Sequence, residues 1–201
     1  MLDLGTGKGT VALLLARRLP QARIVGVEAF AQSHALAVRN AALNRLSARF
    51  EPRLGDLRDP TVLADVAAFD LITGAPPFMP QGSGVLPRDP QRAAGRFELR
   101  GGIEAYATTA ARHLTADGRV VLLMDGRSRD RTLAAVRAAG LHPRRLTAVT
   151  PRPGRPATFQ IVSASAAPAG PLEDRTLSMR DANGSIWSAA YRRLRGVLDL
   201  D

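Results

Sequence analysis

At 201 residues the chain can form one ordinary domain with a sizeable core, and at 45% hydrophobic residues and a mean hydropathy of −0.07 it reads as globular and soluble. No apolar run approaches the roughly 20 residues of a membrane-spanning helix, the start lacks the charged leader of a signal peptide, and with no cysteine, disulfides and thiolate metal sites are excluded; the cysteine count does not reveal the compartment, and the cytoplasm is the default expectation. The formal net charge is +10 and all but one of the 28 basic residues are arginine, spread along the chain, which fits a polyanionic partner or a compositional bias equally well.

The chain opens on an apolar scrap, "MLDL", and a glycine-rich turn, "GTGKG". The helically spaced "TVALLLARRL" stops at Pro20. "RIVGVE" reads as a buried parallel strand. Residues 32–46 read as an amphipathic helix with Leu36, Leu43 and several alanines on its face; "ARFEPRL" is a weaker strand and "TVLADVAA" a short helix. "FDLIT" is a strand that ends abruptly at Gly74, Ala75 and two prolines, and residues 75–100 form a long Pro/Gly/Arg-rich connection whose length marks a functional loop. "GGIEAYATTAARHL" predicts a helix, "GRVVLLM" a strong buried strand, and "RDRTLAAVRAAG" a helix closed by Gly140. Strands at about 142–150 and 157–165 follow, then a turn at Asn183-Gly184 and a helix from Ser185 with Ile186, Ala190, Leu194 and Val197 at helical spacing.

Strands alternating with helices at this spacing predict a doubly wound, mostly parallel α/β sheet. The last two strands are joined too closely for a parallel crossover, so one runs antiparallel. The first strand is short for a central one, so residues upstream of Met1 are expected to belong to the native protein. No repeat or linker divides the chain.

"LDLGTGKGT" sets Asp3, Gly5, Gly7 and Gly9 at alternate positions between a strand and a helix, where glycines allow a tight turn and close approach of a ligand. A dinucleotide fingerprint needs its third glycine where Thr10 stands, and a P-loop needs a glycine where Leu2 stands. The pattern acidic-x-Gly-x-Gly-x-Gly of S-adenosylmethionine (SAM) loops fits without a gap. Glu28, at the end of the second strand, can accept hydrogen bonds from both ribose hydroxyls. Asp56 after the third strand could accept from an adenine amino group, or could be an ordinary loop or helix-capping aspartate.

Residues 3–9, Glu28, Asp56 and "APPF" together resemble the class I SAM-dependent methyltransferases of the small-domain type, and among them the family of the tRNA adenine-N6 methyltransferase acting on valine tRNA. The resemblance covers roughly residues 1–166 and implies a seven-stranded Rossmann-like sheet, with 167–201 as a C-terminal extension on the same domain. In that family the strand end reads Asn/Asp-Pro-Pro-Tyr/Phe. Its side-chain oxygen and the following proline carbonyl take the two N–H groups of a planar amine, prolines hold the acceptors rigid, and the aromatic ring stacks on the substrate. In this chain Ala75 removes the side-chain acceptor, while Pro76, Pro77 and Phe78 remain.

The resemblance thus implies SAM as cofactor and methyl transfer to an exocyclic base nitrogen, with RNA favoured over DNA and a base inside a fold flipped out first. A protein glutamine is the alternative acceptor, and a catalytically impaired SAM- or RNA-binding module is the alternative that Ala75 opens. Arg88, Arg92, Arg96 and Arg100, four apart, could hold phosphates or form a solvated face with Asp89 and Glu98 as partners. His34, His113 and His142 lack metal-ligand spacing, and Trp187 and Tyr191 are expected on one helix ridge as packing residues.

Overall fold

The structure, a computed structural model, describes residues 1–168 and 170–198. Its strands are β1 (Leu2–Leu4), β2 (Ile24–Glu28), β3 (Phe50–Leu54), β4 (Phe69–Gly74), β5 (Leu114–Asp125), β6 (His142–Thr150), β7 (Phe159–Ser165) and β8 (Glu173–Ser178). They form a single eight-stranded sheet in the order β3-β2-β1-β4-β5-β7-β6-β8. Only β7 runs against the others, pairing antiparallel with β5 and β6. The doubly wound sheet with a reversed late strand is therefore present, with one strand more than the seven expected. The addition is β8, which pairs parallel with β6 from Arg145↔Glu173 to Thr150↔Ser178. Its sequence, "EDRTLS", is polar and no residue in it is buried, because an edge strand needs no apolar face on either side.

The helices are α1 (Thr10–Arg18), α2 (Ala31–Leu43), α3 (Pro90–Arg96), α4 (Ile103–His113), α5 (Arg129–Ala138) and α6 (Ala189–Val197). Every residue of β1 and β2 is buried, as befits central strands covered on both faces. The helices beside them approach closely because they present small residues: Ala12 and Ala16 from α1, Ser33, Ala37 and Ala41 from α2. This corrects the reading of α2, whose Leu36 and Leu43 face solvent at 42% and 70% exposure. The leucines lost to the alanines because Phe50 already fills the space under the helix. A Cβ on Gly9 would stand 2.7 Å from its ring, and one on Gly26 2.8 Å.

The short helix expected after β3 is a single 3-10 turn, Pro60–Leu63, started by the Asp59 side chain accepting from Thr61 N–H. The long connection after β4 is not all loop. Asp89 accepts from Arg92 N–H and Pro90 fixes the first turn of α3. The final helix begins four residues later than expected, at Ala189, with Ser188 accepting from Tyr191 N–H. Trp187 precedes it, its ring 5.1 Å from that of Tyr191 and under the guanidinium of Arg180.

Candidate active site

Parallel pairing places Leu4, Val27 and Gly74 side by side, with Leu54 beside Glu28. The segments that follow these residues therefore leave the sheet at one edge, around the point where the strand order reverses beside β1. A cleft opens there, lined by Gly5 and Gly7 after β1, Glu28 and Phe30 after β2, Asp56 after β3, and Ala75 and Pro77 after β4. Residues far apart in the sequence meet at this edge because every βα unit delivers its loop to the same side.

The glycine turn is closed by Gly9 N–H donating to Thr6 O at 2.9 Å and is held further by two carboxylates. Glu28 Oε2 accepts from Gly7 N–H at 2.8 Å and Oε1 from Phe30 N–H at 2.9 Å, which fixes the carboxylate at the lip of the cleft. Gly5, Gly7 and Gly9 all have positive φ, the left-handed region that disfavours side chains. Gly9 does not line the cleft; it starts α1 against Phe50, so its role is packing. Asp3 lies beneath the turn and outside the cleft. It accepts from Thr6 Oγ1 and Thr73 Oγ1, each at 2.7 Å, so it braces the turn and the end of β4 together. Burial is the main reason its carboxyl titrates above the usual carboxylate range, against the lowering effect of the two hydroxyls.

Asp56 faces the cleft, but its carboxylate is already engaged. Arg58 donates to it from its backbone N–H, Nε and Nη2, and Arg100 Nη1 lies 3.5 Å away. The Arg58 guanidinium, ahead of the opposing cost of burial, holds the group below the usual carboxylate range. Arg100 also lies over the ring of Phe30 at 5.1 Å, forming a cation–π lid on this end of the cleft.

At the strand end, Ala75 is exposed to the cleft and Pro76 is buried. The Pro76 carbonyl accepts no hydrogen bond among the described residues. Thr73, the nearest hydroxyl in sequence that could replace the missing acceptor, is turned down to Asp3. Phe78 is not part of the cleft wall; its half-buried ring packs against Phe159 with centroids 6.1 Å apart. Met79 N–H donates to Arg96 O and Glu98 N–H to Met79 O, which ties the strand end to the far end of α3.

That helix forms a wall the sequence hid within a loop. Gln91, Ala94 and Gly95 line the cleft, and Gln91 Nε2 donates to Ser33 Oγ at 2.7 Å, closing α3 against α2. Behind it, the Arg131 guanidinium takes both Glu98 and Glu104 in contacts of 2.8 Å. Asp89 and Glu98 are thus committed elsewhere, to the helix cap and to Arg131. Arg88, Arg92 and Arg96 make no side-chain hydrogen bond or ion pair among the described residues, and Arg92 and Arg96 flank a shallow depression outside Gly95. Phe30, after β2, and Tyr106 of α4 are further lining residues that the linear sequence did not single out. Tyr106 falls on the apolar stripe with Ile103, Ala107 and Ala110, where a tyrosine reads as core.

The switch-point cleft, the acidic-x-Gly-x-Gly-x-Gly turn and the carboxylate after β2 are similar to those of class I SAM-dependent methyltransferases, and the family model described as a methyltransferase domain matches residues 1–81. A tRNA1(Val) (adenine(37)-N6)-methyltransferase from Porphyromonas gingivalis is 37% identical over 124 residues, 61% of this chain. The chain spans about half of that relative, 48% of its length. A release factor glutamine methyltransferase from Geobacter sulfurreducens is 45% identical over 80 residues, 40% of this chain and 26% of its own length. Among solved structures, a predicted O-methyltransferase from Agrobacterium tumefaciens superposes with a TM-score of 0.74 at 23% identity, covering 98% of this chain and 88% of its own, and it shares the fold. SAM is the cofactor of this class, and the cleft residues suit it: close backbone at Gly5 and Gly7, a carboxylate at Glu28 and an aromatic face at Phe30.

Proposed function

We propose that the chain is a SAM-dependent N-methyltransferase acting in the cytoplasm on an exocyclic amino group of a base in RNA, with residues 167–201 part of the same domain. The observation that carries this reading is the convergence of Gly5, Gly7, Glu28, Asp56, Ala75 and Pro77 on one cleft. Glu28 holds the ribose, Gly5 and Gly7 admit the cofactor, and Asp3 acts beneath them through Thr6. Asp56 meets the adenine while shared with Arg58. Bound there, SAM supplies an electrophilic methyl group.

Pro76 carries the remaining acceptor, a carbonyl that takes one N–H of the incoming amine and steadies the positive charge that develops on nitrogen. Pro77 fixes its direction. Phe78, braced on Phe159, borders the acceptor side. Without a side-chain acceptor at Ala75, transfer depends chiefly on proximity and orientation. The free arginines of the α3 segment supply phosphate contacts beside the cleft.

Labelled SAM offered with total tRNA, rRNA and cell protein tests the reading. Label in RNA supports it. Label in protein supports the second reading, methylation of a protein glutamine, which the similarity to the release factor enzyme favours. SAM binding with no transfer to either would make the chain a binding module, and failure to bind SAM by calorimetry would remove the reading altogether.

A further inference from the structure

The hydroxyl of Tyr106 makes no hydrogen bond among the described residues, although the side chain is only 6% exposed. The ring is buried but the oxygen is not among the fully buried atoms, so its hydrogen-bonding capacity is left for whatever enters the cleft. The ring lies across the tips of two neighbouring strands. A Cβ on Gly74, the last residue of β4, would stand 2.8 Å from Tyr106 Cδ1, and one on Gly5, just after β1, would stand 2.2 Å from its hydroxyl oxygen. Two glycines therefore make room for one tyrosine, and its oxygen opens onto the cleft at Gly5.

The strand order gives that oxygen a place along the ligand. Asp56, Glu28, Gly5 and Ala75 follow β3, β2, β1 and β4, which is also their order across the sheet. On the proposed reading, Asp56 takes the adenine and Glu28 the ribose. The methionine tail is then what remains for the β1–β4 end, where Tyr106 stands. Glu28 acts most strongly on the phenol, then Asp3 beneath the turn, and Asp56 at the far end least, and the nearer negative charge favours a cation here. Burial first, then those three charges, raise the phenol's pKa, so it stays neutral and can accept as well as donate.

We propose that Tyr106 binds the methionine tail of SAM, its phenol oxygen accepting from the tail's α-ammonium group. The proposal rests on the methyltransferase reading and can fail independently of it. Calorimetry with SAM, S-adenosylhomocysteine and 5′-methylthioadenosine separates the cases, since the last has the adenine and ribose but no amino-acid tail. Tyr106→Phe keeps the ring over Gly74 and is expected to weaken both tailed ligands about tenfold or more, while 5′-methylthioadenosine binds as before. Tyr106→Leu, a second variant without the ring, is expected to show the same selectivity. Equal weakening of all three ligands would reduce Tyr106 to a packing residue, and unchanged binding of all three would overturn the assignment. Either result leaves SAM binding by the unaltered chain, and with it the methyltransferase reading, intact. Failure of the unaltered chain to bind any of the three would remove that reading, and this inference with it.

Discussion

At Ala75 the strand end keeps its backbone acceptor and lacks a side-chain one, and the neighbouring Thr73 hydroxyl is spent on Asp3. Ala75→Asn restores the missing oxygen where the chain already faces the cleft. It is expected to raise kcat for methyl transfer by about 10²–10³-fold, by analogy with a single preorganised oxyanion partner, without changing SAM affinity. Single-turnover transfer and calorimetry on the two proteins check this. Asp3 carries a different expectation. Its carboxyl titrates higher folded than unfolded, so the native state binds the extra proton and Asp3 favours folding at low pH. That contribution is complete below the ordinary carboxylate pKa of about 3.9 and is lost as pH rises through the folded value. Asp3→Asn removes the titration, so the Tm advantage of the variant over the parent should grow from acid to neutral pH; a gap that is constant with pH would refute the assignment. The sequence made Asp3 and Ala75 legible because both lie inside short motifs. It could not show that Thr73 was already taken, since that contact crosses from β4 to β1.

Among the elements, the pairing of Phe50 with Gly9 and Gly26 does most to set how closely α1 and α2 lie on the sheet. Phe50→Ala should cost about 3–5 kcal/mol, read as a lowered urea midpoint with an unchanged m value, because the surrounding alanines cannot collapse into the space. What the sequence hid has a separate physical cause in each element. In α2 the buried stripe is Ser33, Ala37 and Ala41, and hydrophobicity alone points to the leucines instead. For α3 the start signal, Asp89 followed by Pro90, was present, but only seven residues follow and they sit among prolines and glycines. In β8 the polar composition of an edge strand conceals pairing that depends wholly on β6. Strands buried on both faces, such as β2 and the core of β5, were legible because their apolar runs allow few other structures.

Across the whole molecule, the charge of +10 becomes specific only where arginines lack partners. Arg92 and Arg96 are free beside the cleft, whereas Arg58, Arg127 and Arg131 are bound to carboxylates. Arg92→Ala and Arg96→Ala should each lower the dependence of log K for tRNA on log salt by about 1, with SAM affinity unchanged; filter binding across a salt series decides it. The two flanks of the sheet have a character of their own. On β3, Pro52 has no N–H to offer and its carbonyl lies 3.1 Å from His34 Nε2. On β8, Glu173, Asp174 and Arg175 stand in a row, tied to Arg145 and Arg129. A pyrrolidine ring interrupts one border and charged side chains line the other. Both borders of the sheet are thereby poor templates for the addition of another strand.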